Sequence, residues 1–428
     1  MTGAAPLLAR TVPLGPAFDL LANYQPDAGF FFERRGNGVS AVGTARGVAV
    51  AGGPGRIGRL AGGVREAFAA IRGSEWAGQP PPVAVGVIPF DELEPAMLVI
   101  PERAVGRGED RGAWELDVWP EGLAPLHKPR ERWAGRAVPF EAFEEIQLRP
   151  DPVPRTYGAA VAAVRKRIRD GDLRKVVLAR SLVVDAGREL DPKQLLWRLR
   201  AVDPDCYAFA APTFVDRGGD LLRKGTLVGA SPELLVARRG RDVRSNPLAG
   251  SAPRSGDPGE DRANADFLLG STKNREEHAV VVEAVAAALH PFCDTLSYDP
   301  EPVLLGTANV WHLSTRFRGV LGEPAPSALD LVGALHPTPA VCGTPRELAR
   351  QAIIELEPFV RGAYAGPVGW VDANGDGEWG LALRCAELAG SRARLFAGAG
   401  IVADSDPDEE LDETERKFRA FLDSLRWG

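Results

Sequence analysis

Gly229–Arg254 reads GASPELLVARRGRDVRSNPLAGSAPR, and its alternation is the clearest statement of structure in the chain. Pro232 pushes Ser231 into extended backbone. Beyond it the pattern predicts a strand with Glu233, Leu235 and Ala237 on one face and Leu234, Val236 and Arg238 on the other. Burial among apolar side chains disfavours the charged carboxylate. Glu233 is therefore expected to have a raised pKa and to keep a proton near neutral pH, as a general acid must. A solitary acid beside leucine also occurs at strand edges in water, so the pattern alone leaves both readings open.

The 428 residues around this stretch suffice for two or three ordinary domains or one large α/β unit. Apolar residues at 45% and charged residues at 25% exclude a disordered chain. A net charge of −7 gives nucleic acid or an anionic membrane no electrostatic reason to bind, so an anionic ligand needs local arginine, backbone N–H groups or a metal. Cys206, Cys293, Cys342 and Cys385 lack CxxC spacing, which argues against zinc or a disulfide framework and fits a reducing cytoplasm. The opening MTGAAPLLARTVPLGPAF lacks the basic start and long apolar run of a signal peptide, and no stretch of about 18 apolar residues offers a membrane span.

Before residue 150, apolar runs at 39–51 and 82–89 predict strands, with one helix near Gly62–Arg72. Gly53–Gly58 matches GxGxxG, but Pro54 stiffens it and no βαβ unit surrounds it, so a glycine-rich hairpin is expected rather than a nucleotide site. Arg155–Asp170 has helical periodicity and stops at Gly171. RKVVLARSLVV at 174–184 is apolar on both faces, which predicts an interior strand. Lys175 would be partly desolvated there and weakened toward a usable base; a solvated strand-end lysine fits the pattern equally.

Lys273–Leu289 predicts a helix with Ser271 or Thr272 as N-cap, and Glu277 lines up with Val281, Ala284 and Ala288 on its inward face. An acid in a first turn also answers the helix dipole. The two prolines of HPTPA in LHPTPAVCGTP, 335–345, forbid helix and ladder, so Ala340–Gly343 is expected as a fixed loop whose backbone groups face a cavity or a neighbouring strand, and His312 and His336 read as isolated histidines. Tyr364–Leu388 reads as a hairpin. Its turn at Asp372–Gly377 imitates the start of a calcium loop but has Leu383 at the twelfth position. The second strand would set Arg384 on one face with Gly380, Ala382 and Ala386, leaving room for an anion. Arg394–Val402 is expected as a strand broken at Gly398-Ala399-Gly400, where N–H groups can meet a carboxylate. A last helix, Asp408–Leu425, buries Leu411, Phe418, Leu422 and Leu425, with Glu410, Glu413 and Lys417 off that stripe. No repeat or linker divides the chain, so a single domain is expected.

KVVLAR (175–180), GASPELL (229–235), PLAGS (247–251), KNREEH (273–278), WHL (311–313), HPTPAVCGTP (336–345), GEWGLALRCAEL (377–388), AGAGIV (397–402) and DET (412–414) occur together and in order. As a set they resemble the chorismate-utilising enzymes, most closely the isochorismate synthases of catechol siderophore and menaquinone pathways. The likeness covers about residues 155–425, with 1–150 as the variable N-terminal part of one domain. It implies an α/β (α+β) fold of two large stacked antiparallel sheets flanked by helices, with the site in a cleft. It also implies a reaction: water adds to chorismate at ring carbon 2, the double bonds shift and the 4-hydroxyl leaves.

In matching positions Lys175 would be the base and Glu233 the acid, while Glu277 and Glu413 would hold Mg²⁺. Arg384, with Gly398, Ala399 and Gly400, would grip the enolpyruvyl carboxylate. Gly250, Ser251, His312, Ala340, Val341, Tyr364 and Lys417 complete the implied substrate contacts. Lys175 argues against anthranilate synthase, which usually has Gln there, and Ala249 against aminodeoxychorismate synthase, which has Lys. Salicylate synthase shares the base and is the rival enzyme, although Pro339-Ala340 favours isochorismate as product. The rival of another class is a module that binds chorismate without turning it over. A cytoplasmic monomer without a glutaminase subunit is expected, since water is the nucleophile.

Overall fold

A computed structural model describes residues 6–15, 18–73, 80–108, 112–123, 143, 146–218 and 220–426. Residues 1–5 and 16–17 of the opening segment lie outside these. Among the described residues a 13-stranded sheet faces a 9-stranded one, and a 3-stranded sheet stands beside them. Pairing is antiparallel except where Leu7–Leu14 runs parallel to Ile71–Gly73. Phe32, Ala179 and Leu227 of the larger sheet share one buried apolar cluster with Val85, Val236 and Trp379 of the second, so the core lies between the two. On the other face of the larger sheet, Leu182, Val184 and Leu395 are covered by Leu195 and Leu199 of the Pro192–Val202 helix and by Phe418 and Leu425 of the Pro407–Arg426 helix. The two stacked antiparallel sheets with helices outside match the expectation.

Strands before residue 120 enter both sheets: Gly29–Arg34 and Asn37–Val42 the larger, Val83–Val87 and Ala96–Ile100 the second. The helix expected near Gly62–Arg72 runs instead over Arg56–Ala69. Gly53–Gly58 opens that helix rather than closing a hairpin. The preceding strand, Arg46–Val50, lies in the second sheet and the following one, Ile71–Gly73, in the larger, so the turn belongs to no βαβ unit. Among the described residues no helix is long and apolar enough to cross a membrane.

Lys175–Asp185 is interior, as its two apolar faces predict: Arg392–Ile401 pairs with it along its length, and Gln147–Asp151 and Gly343–Thr344 pair on the other edge. Gly343–Thr344 thus sets the end of the proline-rich loop against a neighbouring strand, one of its two expected surroundings. Those two residues have their own N–H groups; the prolines lie outside them. The Arg392–Ile401 strand is continuous, not broken. Its glycines pair normally, Gly398 with Ala179 and Gly400 with Val177, because absence of a side chain does not prevent extended pairing.

Candidate active site

Two segments change sheets side by side, and the site forms where they do. Asp220–Ser231 belongs to the larger sheet, Pro232 and Glu233 bridge the gap, and Leu234–Arg239 continues in the second. Gly377–Leu381 lies in the second sheet and Cys385–Ala389 in the larger, with residues 382–384 crossing between. Leu381 N–H donates to Glu233 O at 3.2 Å, and Ala230 N–H donates to Arg384 O at 3.2 Å, tying the two corners together.

Two expectations are corrected here. Glu233 precedes its strand rather than sitting in it, because Pro232 has no N–H for a ladder. Glu378–Ala386 is not one strand face, because the chain leaves the second sheet after Leu381. Arg384 takes φ +49° and Ala365, beside it on the cavity wall, φ +62°. Backbone held in this region by residues other than glycine is costly and is found at sites where function over-determines it.

The corners face a cavity of about 710 Å³. Glu233, Glu277 and Glu413 line it, as do Arg384, His312 and Lys417. Gly250 and Ser251 form one part of the wall, Ala340, Val341 and Tyr364 another, and Gly398 and Gly400 a third. Ala399 does not line it; alternation turns its methyl into the apolar core. Lys175 does not line it directly either. Its ammonium, on a side chain 1% exposed, lies 2.9 Å from Glu277 Oε1. Gly400 makes this pairing possible, since a Cβ there would stand 2.1 Å from Glu277 Oε1 and 3.0 Å from Lys175 Cε.

Burial pushes the Glu233 carboxyl up to about 8, opposed by the Leu248 N–H and by Lys175 and Lys417. It therefore holds a proton at neutral pH and faces the cavity with it. Burial, helped by Arg384 and Lys417, drives His312 down to about 3, so its ring is neutral. His312 Nδ1 lies 3.3 Å from Gly250 O and its Nε2 lies 2.8 Å from Arg384 Nη2; donation from Nδ1 leaves Nε2 to accept from the guanidinium. Arg384 pairs with no carboxylate among the described residues. A guanidinium in a cavity with only a neutral partner is a site for an anion.

Three acids meet three lysines beside it. Lys175 pairs with Glu277 at 2.9 Å, Lys273 with Glu410 at 3.1 Å, and Lys417 with Glu413 at 2.6 Å. Although burial opposes it, Lys417 holds Glu413 below the usual carboxylate range, and Lys417 also donates to Gly398 O at 2.8 Å. Burial, reinforced by Glu413, lifts Glu410 to about 7. Glu410 is buried although it lies off the helix's apolar stripe. The signal for it was its spacing from Glu413, three residues apart on one helix face.

A family model described as chorismate binding enzyme matches residues 127–426. Isochorismate synthase DhbC of Bacillus subtilis is 43% identical over 406 residues, 95% of each chain. Isochorismate synthase EntC of Escherichia coli K12 is 37% identical over 341 residues, 80% of each. The crystal structure of a putative 2,3-dihydroxybenzoate-specific isochorismate synthase, DhbC, from Bacillus anthracis is 39% identical with TM-score 0.79, covering 95% of this chain and 98% of that one. The chain belongs to the chorismate-binding enzyme family.

The oxygen-rich corner is where the sequence reading expected a cation. Among the described residues no three His, Cys, Asp or Glu side chains already form a metal cage. The chemistry of the donors nevertheless fits Mg²⁺, which takes oxygen ligands, keeps several waters and needs one or two carboxylates. Glu277 and Glu413 line the same cavity, and Glu410 feels the charge of both.

Proposed function

We propose that this chorismate-binding chain is an isochorismate synthase, an isomerase that converts chorismate to isochorismate. The carrying observation is the combination in one cavity of a buried, protonated Glu233, the Lys175 amine behind Glu277, and an anion-ready Arg384. Lys175, as the neutral amine, takes a proton from water and becomes the ammonium as the water oxygen bonds to ring carbon 2. The ring double bonds shift, the bond from carbon 4 to oxygen breaks, and Glu233 protonates the departing hydroxyl, so one water enters and one leaves. Each proton transfer is worth roughly 10²- to 10⁴-fold in rate. Arg384, oriented by neutral His312, receives the enolpyruvyl carboxylate. Tyr364, stacked on Phe396 at 5.0 Å, forms a flat wall.

Glu277 and Glu413 are the residues that would hold Mg²⁺, whose charge would offset that of the ring carboxylate. The catalytic unit is proposed as one domain, supported by N-terminal strands that complete both sheets. A cytoplasmic monomer without a glutaminase subunit is proposed with it; the four cysteines are unpaired. Incubation with chorismate and Mg²⁺, followed by chromatography, tests the reading. Isochorismate alone is expected; salicylate with pyruvate would identify the rival enzyme, and no turnover a binding module.

A further inference from the structure

On one edge of the Lys175–Asp185 strand, residues 177–180 have no strand neighbour among the described residues. Gln147–Asp151 pairs only with residues 181–185, and Gly343–Thr344 only with Lys175 and Val176. Unpaired backbone groups are costly in a buried sheet. Val177 N–H donates to Cys342 O at 2.8 Å, and side chains occupy the rest of the gap. Glu357 Oε1 accepts from Ala179 N–H at 2.7 Å, and Arg361 Nη2 donates to Val177 O at 2.8 Å. Arg361 Nη1 donates to Val341 O at 2.7 Å, and its Nε to Glu357 Oε2 at 2.9 Å. Both side chains are 3% exposed, and the guanidinium lies 4.4 Å from the Phe90 ring centroid.

One ion pair thereby joins three parts of the cavity wall. Val177 and Val341 line the cavity, Tyr364 lies three residues beyond Arg361, and Lys175 is two residues from Val177. We propose that Arg361 and Glu357 are positioning residues for the reaction, standing in for the missing stretch of strand and fixing the Lys175 strand against the Val341 loop. The proposal rests on the reading of Lys175 as base. Only a planar fork can reach two carbonyls and a carboxylate together; an ammonium cannot reproduce that geometry.

The test is steady-state kinetics on the full chain carrying Arg361→Lys or Glu357→Gln, with thermal melting of each. Arg361→Lys is expected to lower kcat about tenfold or more with KM changed less than about threefold, because a displaced base costs rate more than binding. Glu357→Gln keeps a single oxygen, which can accept from both Ala179 N–H and Arg361 Nη2 as Oε1 does, and loses only the acceptor for Arg361 Nε; it should stay within about fivefold of the parent kcat. The proposal is overturned if folded Arg361→Lys retains kcat within about twofold, or if the two variants lose kcat equally, which makes charge rather than geometry the cause. It is also overturned if the deficit vanishes on cooling, or if Arg361→Lys never folds while Glu357→Gln matches the parent, since either marks a purely structural role. Failure of the functional reading shows differently, as a parent chain that does not turn chorismate over.

Discussion

Lys175 Nζ lies 2.9 Å from Glu277 Oε1, so the amine proposed as base and a carboxylate proposed for the metal are each other's partner. Any cation that takes Glu277 competes with that ammonium. Lys175→Met should abolish turnover and, by removing the competitor, tighten Mg²⁺ binding about tenfold, the scale of one charged hydrogen bond at about 1.4 kcal/mol. Calorimetric titration of Mg²⁺ into the substrate-free variant checks this; unchanged or weaker affinity would refute the competition.

Gly400→Ala probes the same corner from the strand side. The added Cβ would meet Glu277 Oε1 at 2.1 Å, and the flexible end of that side chain has to move. The variant is expected to keep the parent's circular dichroism and to lose Mg²⁺ affinity and turnover together. Activity near the parent's would show that Glu277 need not stay where it is.

Arg384→Lys replaces the fork by a point charge and loses the contact with His312 Nε2. Chorismate KM should rise roughly 30-fold, about 2 kcal/mol, with kcat falling less. A KM near the parent value would remove Arg384 from substrate recognition.

Glu233 makes a prediction about stability as well as rate. Its folded pKa of about 8 lies above the ordinary 4.5, so between these values the folded chain binds more protons than the unfolded one. Its contribution is full below the ordinary value and is lost as pH rises through about 8. Glu233→Gln, neutral at every pH, should therefore melt higher than the parent at alkaline pH, with the difference shrinking toward acid. In the parent, turnover should fall as pH rises past about 8 and the acid loses its proton. Parallel melting curves across pH would contradict a buried, protonated Glu233.

Periodicity made much of this legible in the sequence. The two-faced apolar run located Lys175 on an interior strand, and the helical row located Glu277 on a buried face. The corners were hidden, because alternation continues on both sides of Pro232-Glu233 and of residues 382–384 and so cannot reveal a change of sheet. Ala399 was read with Gly398 and Gly400 for its N–H alone; the pattern did not show that a continuous strand turns its side chain away from the cavity. Glu410 was read only as lying off the apolar stripe, since its own helix does not show that Lys273 comes to meet it. Arg361 and Glu357 gave no signal, because the gap they fill exists only after three separate segments have met.

The central claim is that solvent water becomes the new hydroxyl. Turnover of chorismate in ¹⁸O-labelled water with Mg²⁺, followed by mass spectrometry of the product, tests it directly. The account predicts isochorismate carrying one ¹⁸O, in the hydroxyl on carbon 2. Isochorismate with only unlabelled oxygen at that carbon would mean that the hydroxyl migrates within the substrate, and would contradict the roles given to Lys175 and Glu233.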